Sequence, residues 1–116
     1  MYVVIFRAKS GEQDEEYGKA ISRMRELAFA KYGCLDFVAA TERDQEITLS
    51  YWDNEESIRQ WKCDSEHTLA QELGRKKWYK SYIVQITEIK REYKYNIWVN
   101  KDNSREYPSN EYKTSR

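Results

Sequence analysis

What most constrains this chain is the order in which its hydrophobic period changes: two, then about 3.6, then two twice, then 3.6, then two again. Tyr2 to Ala8 is β-branched, aromatic and almost wholly apolar, which predicts a central strand. Ser10-Gly11-Glu12-Gln13 has the S-x-x-Q form of a capping box, so a helix is expected to begin with Ser10 as its cap. Tyr17, Ala20, Ile21, Met24, Leu27 and Ala28 then make one apolar stripe, with Glu15, Lys19, Arg23 and Glu26 largely outside it. Gly33 suits the left-handed residue that closes such a helix.

Leu35 to Arg43 and Glu46 to Trp52 read as two antiparallel strands around the turn Arg43-Asp44-Gln45. In the second, Ile47, Leu49 and Tyr51 alternate with Glu46, Thr48 and Ser50, and the apolar set is expected to meet the core. Asp53-Asn54-Glu55-Glu56 starts a second helical region that carries Ile58 and Trp61, breaks near Cys63 to Ser65, resumes with Leu69, Ala70 and Leu73, and ends at Gly74. Beyond basic Arg75-Lys76-Lys77, a long last strand is predicted over Ser81 to Tyr95, with Tyr82, Val84 and Ile86 on one face.

The order βαββαβ is the split-βαβ arrangement, an α+β fold whose four-stranded antiparallel sheet carries both helices on one face. The other face is left apolar and uncovered, which predicts a homodimer formed sheet to sheet. One domain is expected over residues 1–95. Residues 96–116 read as a polar, flexible tail, because Asn100 to Arg116 contains no Val, Ile, Leu, Met or Phe to offset the entropy of ordering.

Twenty basic and twenty acidic side chains cancel, so no long-range field draws in nucleic acid or an anionic membrane surface. The first residues lack the basic lead-in and long apolar run of a signal peptide, and a cytoplasmic protein is expected. Cys34 and Cys63 are far apart without CxxC spacing, which argues for reduced thiols. Cys63 and His67 have half of a metal-site spacing that no other His or Cys completes, so no metal is expected. An RNP1-type run, GxGxxG, a Walker-type loop and HExxH are all absent. Four Trp and ten Tyr in 116 residues fill a core and a subunit interface, or line a pocket for a flat ligand.

Ser50-Tyr51-Trp52, Trp61, His67, Ala70-Gln71, Gly74-Arg75 and Trp78-Tyr79 together resemble an antibiotic biosynthesis monooxygenase domain. The resemblance extends to Val3 to Arg7, the first helix and the end of the last strand, about residues 2 to 95. It implies a ferredoxin-like subunit in a dimeric α/β barrel, with a cavity between helices and sheet. That family includes cofactor-independent oxygenases of aromatic polyketide phenols and haem-degrading oxygenases.

The resemblance places Trp61 at the cavity, where core packing is its alternative role. Haem degraders pair that Trp with an Asn on the first strand and a His on the helix. Phe6 and Gln71 stand there in this chain, so an axial iron ligand is missing and haem is disfavoured. The polyketide oxygenases carry a Tyr six residues after the Trp, where this chain has His67, its single histidine. An imidazole there can take a phenolic proton and leave an electron-rich ring for dioxygen; an exposed or capping helix residue is the alternative. Trp61 and His67 are thus the expected catalytic residues. Phe6, Tyr51, Trp52, Gln71, Trp78 and Tyr82 are the expected substrate contacts, and Arg75 to Lys77 meet an acidic group or the helix dipole. Two functions are expected from this: a cofactor-independent monooxygenase of a small phenolic or quinol compound, or a dimeric ligand-binding or accessory domain without chemistry.

Overall fold

The computed structural model describes residues 1–71 and 77–96, and the side chains of residues 66–71 are outside that description. Its elements are β1 (Tyr2–Ser10), α1 (Glu15–Lys31), β2 (Asp36–Glu42), β3 (Gln45–Trp52), α2 (Glu55–Gln71) and β4 (Tyr79–Glu88). The sheet order is β2-β3-β1-β4, with every neighbouring pair antiparallel. This is the expected ferredoxin-like α+β topology. The expected tail lies outside the described residues from residue 97 on, as do Leu73, Gly74, Arg75 and Lys76.

The apolar stripe of α1 behaves as its spacing predicts, with Ala20 and Ala28 buried and Tyr17, Ile21, Met24 and Leu27 half-buried. The start of α1 does not. Ser10 ends β1, and Asp14 is the cap, its carboxylate accepting from the Tyr17 amide at 3.0 Å. Tertiary pairing overrides the local capping pattern here: the Ser10, Gly11 and Glu12 amides donate to the carbonyls of Asp44, Trp78 and Lys77 at 2.7–2.8 Å. A Cβ on Gly11 would meet the Lys77 carbonyl oxygen at 2.5 Å, so the two segments approach this closely only over glycine. At the far end Gly33 adopts φ +78, and the Cys34 amide turns back to the Ala28 carbonyl at 2.9 Å.

The hairpin is tighter than expected: Gln45 already pairs with Glu42, and only Arg43 and Asp44 form the turn, Arg43 at φ 58. Helix α2 is capped by Asn54, which accepts from the Ser57 amide at 2.9 Å, and it runs through Cys63 to Ser65 without the expected break. β4 starts earlier than the alternation suggests and stops at Glu88; Ile89 adds one further bond, to the Met1 carbonyl, and residues 90–96 leave the sheet.

The main correction concerns β3. Its buried residues are Ser50 and Trp52, while Ile47 is 41% exposed. Directly opposed residues share a face, so the pairs Val4 with Ser50 and Phe6 with Thr48 place Glu46, Thr48, Ser50 and Trp52 under the helices. Ile47, Leu49 and Tyr51 lie on the other face, beside Val3, Ile5 and Val38. Trp52 decides this parity. It is fully buried against Val4, Ala28, Cys34 and Ile58, and its indole N–H donates to Ser50 Oγ at 2.8 Å. A second core cluster, Ala8, Ala20, Trp78 and Tyr79, closes the opposite end.

Candidate functional site

The helix layer and the sheet enclose a cavity of about 190 Å³. The sheet contributes Val4, Phe6, Phe37, Ala39, Glu46, Thr48 and Ser50 from β1 to β3, and Tyr79, Tyr82, Val84 and Ile86 from β4. Its helix walls come from Tyr17, Ile21, Met24 and Arg25 of α1 and from Ile58, Trp61, Lys62 and Ser65 of α2. The α2 residues recur at three- and four-residue spacing, which aligns them on one side of an unbroken helix.

Of the residues singled out by sequence, Phe6, Trp61 and Tyr82 line this cavity. Phe6 stacks on Tyr82 at 5.5 Å and meets Tyr79 edge-on at 5.3 Å, so part of one wall is a sheet of rings. Trp61 lies 5.2 Å from Trp52 and meets Phe37 edge-on at 6.3 Å. Its indole N–H donates to the Met24 carbonyl at 2.9 Å, tying α2 to α1, so toward the cavity Trp61 offers its ring rather than its donor.

Trp52 and Trp78 are core residues behind the walls, and Tyr51 lies on the opposite face of the sheet. His67 and Gln71 lie in the last turns of α2, and their side chains are outside the described residues. Lys77 pairs with Asp14 at 2.9 Å, across the start of α1. That contact and the Tyr17 amide hold the Asp14 carboxyl below its ordinary range.

Sequence reasoning missed the polar group of the site. Glu46 Oε1 accepts from the Tyr17 hydroxyl at 2.6 Å, and Oε2 accepts from Ser10 Oγ at 3.1 Å and Gln13 Nε2 at 2.5 Å. The Tyr79 hydroxyl donates in turn to Tyr17 at 3.3 Å. Burial, then the bond to Glu46, pushes the Tyr17 phenol far above its usual range. Burial likewise lifts Tyr79 to about 12. Both phenols therefore stay protonated and act as donors. The available signal is a glutamate beginning a strand in the same parity as Trp52, but the alternation of β3 by itself assigns that polar parity to solvent.

Among the described residues, no group of three or more His, Cys, Asp or Glu is placed to hold a metal ion, and no helix is long and apolar enough to cross a membrane. Cys34 is buried and Cys63 exposed, both as free thiols.

No family model matches the sequence. It is 39% identical over 92 residues to the uncharacterized protein YqjZ of Bacillus subtilis, covering 78% of this chain and 81% of YqjZ. Its fold is similar to that of a point mutant of SnoaB, a cofactor-independent oxygenase from Streptomyces nogalater (TM-score 0.63, 10% identity, 78% of this chain and 94% of that one). It is also similar to a dimeric ferredoxin-like protein from an uncultured marine organism (TM-score 0.60, 11% identity, 82% and 100%). A crystallised antibiotic biosynthesis monooxygenase matches with TM-score 0.52 and 16% identity over 77% and 98%.

Proposed function

The chain belongs to the family of YqjZ and has the ferredoxin-like fold of the antibiotic biosynthesis monooxygenases, and from that premise we propose that it is a cofactor-independent oxygenase of a small hydroxylated aromatic. The observation that carries this reading is the ring-walled cavity between helices and sheet, with Trp61 facing it. Size narrows the substrate. A dry cavity of about 150 Å³ holds benzene, so about 190 Å³ suits one substituted ring.

The chemistry balances without a cofactor because the substrate supplies the electrons. Loss of a phenolic proton makes the ring electron-rich. Dioxygen then reacts at a ring C–H carbon: one oxygen atom becomes a new carbonyl, the other leaves as water, and the phenol ends as a quinone. Two groups of this chain are candidates to take the proton. His67 has the right intrinsic basicity, and Glu46 is a carboxylate that lines the cavity.

Oxygen consumption with hydroquinones and catechols is the deciding measurement. Uptake is expected for the native chain and a severalfold loss for Trp61→Phe. A severalfold loss in His67→Ala assigns it the proton transfer, and an unchanged rate removes it from the mechanism. Binding with tryptophan quenching but no uptake would replace the oxygenase by a ligand-binding module. We also propose that a second copy covers the open sheet face, where Val38, Ile47 and Ile83 are 48%, 41% and 49% exposed. A monomeric mass by light scattering at micromolar concentration would overturn that.

A further inference from the structure

Two polar groups of the cavity point to how a ligand is held. Ser65 lies on α2 one turn beyond Trp61, lines the cavity and is only 7% exposed, and its Oγ has no hydrogen-bond partner among the described residues. Folded proteins rarely leave a buried hydroxyl in that state, because it has given up water for nothing. Such a group is explained if its partner arrives with a ligand. On the sheet wall of the same cavity stands Glu46. A carboxylate has about four lone-pair sites, and Ser10, Gln13 and Tyr17 occupy three of them. All three partners are neutral, so the carboxylate is fixed in place while its charge is left without a counter-ion from them.

We infer that Ser65 and Glu46 are the two specificity anchors of the cavity, and that they select a single aromatic ring carrying one hydroxyl and a second, acceptor oxygen. The hydroxyl donates to the open site on Glu46, and the second oxygen accepts from Ser65 Oγ. The ring fills the apolar space between them, against Phe6 and Trp61. Each anchor has its own logic. Glu46 can only accept, so it rejects a ring whose oxygens are all alkylated. Ser65 stays orphaned when the second oxygen is missing, so a plain alkylphenol gains nothing there. This inference rests on the reading of the cavity as an aromatic-binding site, and it does not require turnover.

Calorimetric titration of the full chain with three probes of similar size tests it: 4-hydroxyacetophenone, 4-ethylphenol, which lacks the acceptor, and 4-methoxyacetophenone, which lacks the donor. The native protein is expected to bind the first about tenfold more tightly than either other, as one hydrogen bond with an otherwise orphaned partner implies. Ser65→Ala should abolish the preference over 4-ethylphenol, keep 4-ethylphenol affinity unchanged, and leave the thermal midpoint of the unliganded protein no lower. Glu46→Gln, which adds a donor beside the acceptor, should remove the preference over 4-methoxyacetophenone. Equal affinities for the three probes in the native protein, or a preference that survives Ser65→Ala, would overturn the inference while the aromatic-binding reading stands. No binding of any probe would remove that reading and the inference with it.

Discussion

The two faces of β3 differ in a way that a hydropathy pattern reads backwards. The face under the helices carries Glu46, Thr48, Ser50 and Trp52, while the face turned away carries Ile47, Leu49 and Tyr51. In an ordinary half-exposed strand the apolar set would be inside. Here the inner face serves two ends. At one end a single indole fills the core and donates its hydrogen bond to the strand's own Ser50; further along, small and polar side chains leave room for a cavity. The outer face is apolar, and on the reading proposed above a second copy rather than water covers it. An apolar face thus marks contact with another surface, and the contact need not be within the same subunit.

Trp52 carries the largest expected effect. Trp52→Ala removes the only large apolar side chain on the inner face of β3, and it is expected to destabilise the fold by about 3–5 kcal/mol, measured by denaturant unfolding. A loss below about 1 kcal/mol, against that range for a buried aromatic, would mean that the inner face of β3 is not anchored there.

A smaller effect concerns the phenols around the cavity. Tyr79 is buried and its phenol is raised from 10.0 to about 12, so the folded state holds that proton more tightly than the unfolded chain. Its contribution to stability is complete below about pH 10 and is lost as pH rises toward about 12. Unfolding free energy should therefore fall across that interval, and Tyr79→Phe should make the fall shallower. Equal slopes for the two proteins would show that burial does not hold the proton.

The smallest change in subunit stability is expected on the outer face. Ile47→Lys should alter unfolding of the separated subunit by no more than about 0.5 kcal/mol. It should still split a dimer into monomers by light scattering. If the same variant unfolds the chain, Ile47 belongs to a core within one subunit and the contrast between the faces fails.

Much of this architecture was legible along the chain. The helical stripe from Tyr17 to Ala28 lies against the sheet as its spacing demands, and Tyr82, Val84 and Ile86 share the cavity side of β4. The site was legible in part. Trp61, Phe6 and Tyr82 meet at the cavity, whereas Glu46 has the pattern of a solvated residue and Ser65 falls where a helix break was expected. Both misreadings have one cause: a polar residue that lines a cavity has the same local pattern as one that faces water.

The order of elements, the apolar stripe of α1 and the left-handed turn at Gly33 were set by sequence alone, because each depends on neighbours within a few residues. The tertiary structure decided which side of β3 is the inside, where α1 begins and which carboxylate faces the cavity. A two-residue period defines two faces but does not label them. The label comes from long-range contacts, here the burial of Trp52 against Ala28 and Ile58 and the claim that residues 77–78 make on the amides of Gly11 and Glu12.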